Sequence, residues 1–186
     1  MKYLIVGMGN IGDEYANTRH NIGFVVADAL AMEGQARFSS ERHASVTRLK
    51  YKGRIMVVIK PSTYMNLSGK AVMYWKKKEN ISNENLLVII DDIALPIGSL
   101  RIKKGGGDGG HNGLASIIES LETTDFPRLR FGIGNDFAKG TQVDYVLNKW
   151  TKKEEETLIP RVKISVDIVK SFLTIGIERT MNAYNQ

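Results

Sequence analysis

Three short apolar runs do most to limit what this chain can fold into. Tyr3–Val6, Ile55–Ile59 and Leu86–Ile90 are dense in Val, Ile and Leu and lack the alternation of a strand wetted on one face. Runs this short do not make buried helices. They suit strands covered on both faces, the condition of a parallel sheet. Helical periodicity separates them. Ile22, Val25, Val26, Ala29 and Leu30 fall at i, i+3, i+4, i+7 and i+8, with Asn21 placed as N-cap. Leu67, Ala71, Tyr74 and Trp75 share a face after the second run, and Leu114, Ile117, Ile118 and Leu121 share one later. The alternation predicts one α/β domain over residues 1–186, a twisted, mostly parallel (mixed) β-sheet flanked by helices.

The remaining segments are read by the same rules. Residues 37–53 are polar and mixed, a strand turning near Lys52-Gly53, with His43 on the surface. Leu100–Lys103 and Arg128–Phe131 each alternate apolar with basic, so Arg101 and Lys103 share one strand face and Arg128 and Arg130 another. Gln142–Leu147 is expected as a last extended segment. Thr151 and Glu154 have capping-box spacing, and Pro160 is expected to kink or restart the helix that follows. Val162, Val166, Val169 and Leu173 line one face of that helix, and Gly176 ends or breaks it.

Residues 105–110 read Gly-Gly-Gly-Asp-Gly-Gly and run into His111-Asn112 as an apolar helix begins. Such a run builds no core, because ordered glycine loses the most backbone entropy. It reads either as a surface loop or as backbone that approaches a large ligand, with the N–H groups of a helix start beside it. Arg101, Lys103 and Lys104 just before it favour the ligand. The net charge of +6 and pI near 9.4 also suit an acidic partner: nucleic acid, phosphate or anionic lipid. With no cysteine the chain has no disulfide, zinc–thiolate site or thiol nucleophile, which fits the cytoplasm. No apolar run reaches membrane length, and the first apolar stretch is too short for a signal peptide.

Polar residues gather where predicted strands and helices end: Asn10, His20, Asn66, Asp91, His111 and Asn112. In a parallel sheet such ends converge at one edge. His20 suits a general base and Asp91 the group that fixes its tautomer; asparagines hold carbonyls, water or sugar hydroxyls without titrating. No Ser or Cys stands as nucleophile, so direct attack by water is expected. Without H-E-x-x-H, a carboxylate cluster or cysteine, neither metal nor cofactor is expected.

Four blocks together resemble the bacterial-type peptidyl-tRNA hydrolase family: Gly7-Met8-Gly9-Asn10 with Thr18-Arg19-His20-Asn21-Ile22-Gly23-Phe24; Lys60 to Gly69; Asp91 to Pro96 with the 105–114 loop; and Arg128 to Gly134. The resemblance implies hydrolysis of the ester between a peptide and the 3′ ribose of tRNA, by a monomer. It implies His20 as base with Asp91 as partner, and Asn10, Asn66 and Asn112 positioning substrate, Asn66 or Asn112 near the oxyanion. Tyr15 and Met65 would line the site, His111 would shape the peptide side, and Arg101, Lys103, Lys104, Arg128 and Arg130 would track tRNA phosphates. Ile11 stands where the family often has proline, Ala94 where an acid is frequent and Asp108 where histidine is common. Phosphate contact is not carried over to Asp108.

Two rival readings also fit parts of the sequence. A catalytically silent RNA-binding relative would keep the basic stripe but not need the whole His/Asp/Asn set. A nucleotide-dependent oxidoreductase would use Gly7-x-Gly9-x-x-Gly12, but the helix does not open at those glycines. Near residues 30–40 the required acid is represented only by Glu33, inside the predicted helix.

Overall fold

The three apolar runs become adjacent central strands of one sheet. The computed structural model describes residues 1–186. Its strands are β1 (Lys2–Gly7), β2 (Ser39–Glu41), β3 (Ala44–Tyr51), β4 (Arg54–Pro61), β5 (Leu86–Asp92), β6 (Leu100–Lys103) and β7 (Arg128–Gly132). Its helices are α1 (Ile22–Glu33), α2 (Ser68–Lys78), α3 (Asn112–Leu121), α4 (Gln142–Leu147) and α5 (Lys152–Tyr184). The sheet order is β2-β3-β4-β1-β5-β7-β6. The inner four, β4, β1, β5 and β7, run parallel, and β2, β3 and β6 add antiparallel edges. The sheet is therefore mixed, with the parallel part where the apolar runs lie.

Both faces are covered. Ile5, Leu87, Ile89 and Leu129 pack with α1 and α5, and Leu4, Val6, Val88 and Ile90 pack with α2 and α3. Trp75 is wholly buried, its indole N–H donating to the Arg42 carbonyl at 2.8 Å. Burying a side chain of this kind contributes on the order of 3 kcal/mol. Between the end of β1 and α1, the glycines serve close packing rather than a dinucleotide. A Cβ on Gly7 would lie 2.3 Å from the Gly23 carbonyl oxygen, and one on Gly23 would lie 2.4 Å from the Met8 nitrogen. Helix α1 thus crosses the strand end backbone against backbone, which places His20, just ahead of it, over the tip of the sheet.

Four local expectations change. Gln142–Leu147 is helical, because Tyr145 must face inward, where its hydroxyl donates to the Ile133 carbonyl at 2.6 Å, while Val143 is exposed at the cleft and Val146 lies between cleft and core. Pro160 leaves α5 unbroken: it is exposed, as is Glu156, whose carbonyl loses its helical donor on the solvent side of the helix. The break comes at Gly176, at φ 80° and ψ 174°. Leu67 lies in a turn before α2 and is exposed, so that helix buries Ala71, Val72 and Trp75. Asn21 occupies the N-cap position of α1 without a capping hydrogen bond. The capping box of Thr151 and Glu154 forms in full. No helix is long and apolar enough to cross a membrane.

Candidate active site

The chain leaves β1 toward one face of the sheet and β4 toward the other, so a crevice opens at the carboxyl ends of the strands. Asp91, at the end of β5, is 4 % exposed, and its two oxygens are taken by two histidines. His20 Nδ1 lies 2.8 Å from Oδ2, and His111 Nε2 lies 2.8 Å from Oδ1. The imidazole centroids are 5.1 Å apart. Burial alone would push the Asp91 carboxyl up, but His111 and His20 beside it hold it well below the usual carboxylate range. It is therefore an anion that only accepts.

The donors follow from that. His111 is the N-cap of α3, and its Nδ1 accepts the Leu114 N–H at 3.1 Å. An acceptor nitrogen carries no proton, so the proton of neutral His111 sits on Nε2 and is donated to Asp91. His20 donates to the other oxygen through Nδ1–H, which leaves the lone pair of Nε2 free. That is the tautomer a general base needs.

Asn10 is fixed on both sides. The Asn21 side chain accepts the Asn10 N–H at 2.8 Å and donates to the Asn10 carbonyl at 2.9 Å, as a neighbouring strand would. The Asn10 Oδ1 then accepts the Met65 N–H at 2.7 Å, so the Asn10 amide keeps its NH₂ as a free donor. Met65 reaches under the start of α3: a Cβ on Gly113 would stand 2.5 Å from its sulfur. Asn66 and Asn112 are exposed and make no side-chain hydrogen bond in the protein. Tyr15 lies further out, edge-on to Tyr64 with centroids 6.4 Å apart.

A cleft of about 360 Å³ joins His20, Asp91, His111 and Asn112 to the glycine loop and to Lys103, Arg128 and Arg130. The two basic strand pairs stand in register, Arg101 opposite Arg130 and Lys103 opposite Arg128 across β6 and β7. Their surroundings differ. Lys103 is exposed. Arg130 pairs with Asp92 at 2.5 Å. Arg101 donates to the Asn185 carbonyl, and Lys104 turns outward to Glu178 at 3.1 Å, away from the cleft. Arg128 is 2 % exposed, and its guanidinium is taken up by backbone carbonyls.

Several neighbours of the site escape a reading of the sequence. Asn21 passes for an ordinary cap. Asp92 meets Arg130 only through the register of β5 and β7. Val143 and Val146 of α4 line the cleft, and their i, i+3 spacing is the one signal that could have exposed them. Arg19, buried behind His20, donates to both oxygens of Glu154 at 3.0 and 3.1 Å and to the Tyr145 carbonyl at 3.0 Å. His20, Asp91 and His111 bring possible ligand atoms within 4.8 Å of one another, a spacing a cation could use. The protein pairs those atoms as donors and acceptors instead.

A sequence model of the family described as peptidyl-tRNA hydrolase matches residues 4–186. The peptidyl-tRNA hydrolase of Phocaeicola vulgatus is 55 % identical over 186 residues, covering all of both chains. That of Porphyromonas gingivalis is 53 % identical over 185 residues, again with full coverage of both. Among solved structures, the peptidyl-tRNA hydrolase of Acinetobacter baumannii superposes with a TM-score of 0.93 at 34 % identity, over 98 % of this chain and 94 % of that one.

Proposed function

This chain belongs to the peptidyl-tRNA hydrolase family, and from that premise we propose how its residues divide the work of cleaving the ester between peptide and tRNA. It is an ester hydrolase of peptidyl-tRNA. His20 is the general base. Its Nε2 takes a proton from water as the water oxygen bonds to the ester carbonyl carbon. Asp91 stabilises the imidazolium that results. The carbon–oxygen bond to the 3′ ribose then breaks, and the ribose oxygen takes the proton from His20. The products are tRNA with a free hydroxyl and a peptide with a free carboxyl group. The hydrogen bond from His20 Nδ1 to a buried, anionic Asp91 carries this reading. A base so placed contributes about 10²–10⁴-fold in rate.

The Asn10 NH₂, together with Asn66 and Asn112, positions the ester and the attacking water. Asn66 or Asn112 faces the developing oxyanion. Met65 packs beneath that point, Tyr15 closes the outer rim, and His111 bounds the peptide side. Lys103 and Arg130, at the mouth of the cleft, meet tRNA phosphates, with Arg101 and Lys104 further out, so binding weakens as salt rises. The protein works as a monomer. Its exposed edge strand β6 is tied by the Asn185 side chain, which accepts from the Ile102 N–H at 2.8 Å and donates to the Ile102 carbonyl at 2.7 Å.

An N-blocked aminoacyl-tRNA, incubated with wild type and with His20→Ala in chelator, tests this. Rapid release by wild type and little by the variant is expected. Equal rates would remove His20 from the chemistry, and tRNA binding without release by wild type would mean a binding module.

A further inference from the structure

Arg128 belongs to the basic stripe in sequence, but its surroundings are not those of a phosphate ligand. It has five N–H donors, and every one meets a main-chain oxygen. Nη1 donates to the carbonyls of Gly106 at 2.6 Å and Gly107 at 3.1 Å. Nη2 donates to Thr124 at 2.9 Å and Phe126 at 3.3 Å, and Nε to Phe126 at 3.4 Å. The guanidinium carbon sits 4.4 Å from the centre of the Phe126 ring. No carboxylate pairs with it. Burial, and then the charge of Arg130, push its pKa down, so nothing near it rewards the charge except carbonyl dipoles and an aromatic face.

Those carbonyls come from the two segments that most need holding. Gly106 and Gly107 open the glycine loop, where a Cβ at Gly106, Gly107, Gly109 or Gly110 would meet nothing within 4 Å. A loop without side-chain packing has only its hydrogen bonds to define it. One is Gly106 N–H to Thr124, and the Asp108 side chain closes a turn on the Gly110 N–H at 2.7 Å. The Asp108 carbonyl then accepts the N–H of His111, whose ring holds Asp91.

We propose that Arg128 is a positioning residue: its guanidinium staples the base of the glycine loop to the α3–β7 turn and so sets His111 against Asp91, rather than binding substrate phosphate. The assignment rests on the hydrolase reading above. Lysine keeps the charge but has no planar fork to reach carbonyls in two directions, so it does not substitute.

Arg128→Lys tests the proposal. With N-blocked aminoacyl-tRNA, kcat is expected to fall about 10–100-fold, the scale set by small misplacements of catalytic groups. The dependence of KM on salt should match wild type, whereas Lys103→Ala should flatten it. Amides of residues 105–111 should exchange with solvent faster in Arg128→Lys, a readout needing no substrate, so it still decides the staple if wild type proves not to hydrolyse. An unchanged kcat with unchanged exchange overturns the proposal, and so does a loss confined to KM with a flattened salt slope. Should the variant not fold, guanidinium ¹⁵N spectra of wild type decide. Slowly rotating Arg128 Nη groups that a tRNA minihelix leaves unshifted support the staple, and freely averaging or ligand-shifted ones refute it.

Discussion

The cleft has two walls, and each brings one histidine to Asp91 with a buried arginine behind it. On the His20 wall, Arg19 meets Glu154 through both carboxylate oxygens and lies 4.2 Å over the Tyr145 ring. Its charge is matched, and Glu154 also caps the first turn of α5. This wall is anchored by an ion pair and by a helix from the far end of the chain. On the His111 wall, Arg128 meets carbonyls alone and anchors a glycine segment that has almost nothing else. A wall with side chains can share its restraint among many contacts. A wall of bare backbone concentrates its restraint in a few hydrogen bonds, those of Arg128 among them.

The comparison breaks first at the histidines. His20→Ala should lower the hydrolysis rate about 10²–10⁴-fold, and His111→Ala should lose clearly less. Equal losses would mean that the two rings are interchangeable. Asp91→Asn should be nearly as severe as His20→Ala, for a reason specific to this geometry. The cap to Leu114 fixes the His111 proton on Nε2, so the new amide must turn its oxygen there and its NH₂ toward His20. That forces the His20 proton onto Nε2, the nitrogen needed as base. The double variant His111→Ala/Asp91→Asn frees the amide to rotate, and should hydrolyse faster than Asp91→Asn alone. A double variant no faster than the single would sink the tautomer argument.

Arg128→Lys comes next, with its loss in kcat. Glu154→Ala is its counterpart on the other wall and should do the reverse. Removing one partner of a largely buried pair costs about 3 kcal/mol, a drop of roughly 6–12 °C in Tm for a domain of this size, with kcat within a few-fold of wild type. Calorimetry beside kinetics separates the two. A large kcat loss in Glu154→Ala would show that both walls are restrained in the same way.

The smallest effect is in acid. The Asp91 carboxyl is lowered in the folded protein, so the stability it contributes is present above the unfolded carboxylate pKa, about 4. It is lost as pH falls below that toward the depressed folded value. Denaturant midpoints between about pH 5 and pH 2 should fall more steeply for wild type than for Asp91→Asn. Parallel curves would place the acid sensitivity elsewhere.

What the sequence discloses follows the same division. The central strands were readable because burial on both faces leaves short apolar runs, and α1 and α3 because a covered helix must repeat its apolar residues every turn. His20 and Asp91 stand out because one lies just before such a pattern begins and the other just where one ends. Local patterns do not record how distant segments are held. Nothing near Arg128 distinguishes it from Arg130, two residues on. The difference is that one side chain lies under the loop and the other reaches Asp92. Pairing of Asn21 with the Asn10 backbone requires the close crossing at Gly7 and Gly23, and α4 is a helix because Tyr145 packs against the Arg19 guanidinium and reaches the Ile133 carbonyl.

The cap that His111 places on α3 ties chemistry to folding. While the first turn of that helix is frayed, the Leu114 N–H no longer meets His111 Nδ1, the histidine can carry its proton on either nitrogen, and Asp91 has only one dependable donor. Closing the turn selects the tautomer. Protection of the Leu114 amide is therefore a reporter on how firmly Asp91 is held, and a partly folded chain that had already formed its sheet would present His20 to a carboxylate fixed from one side only.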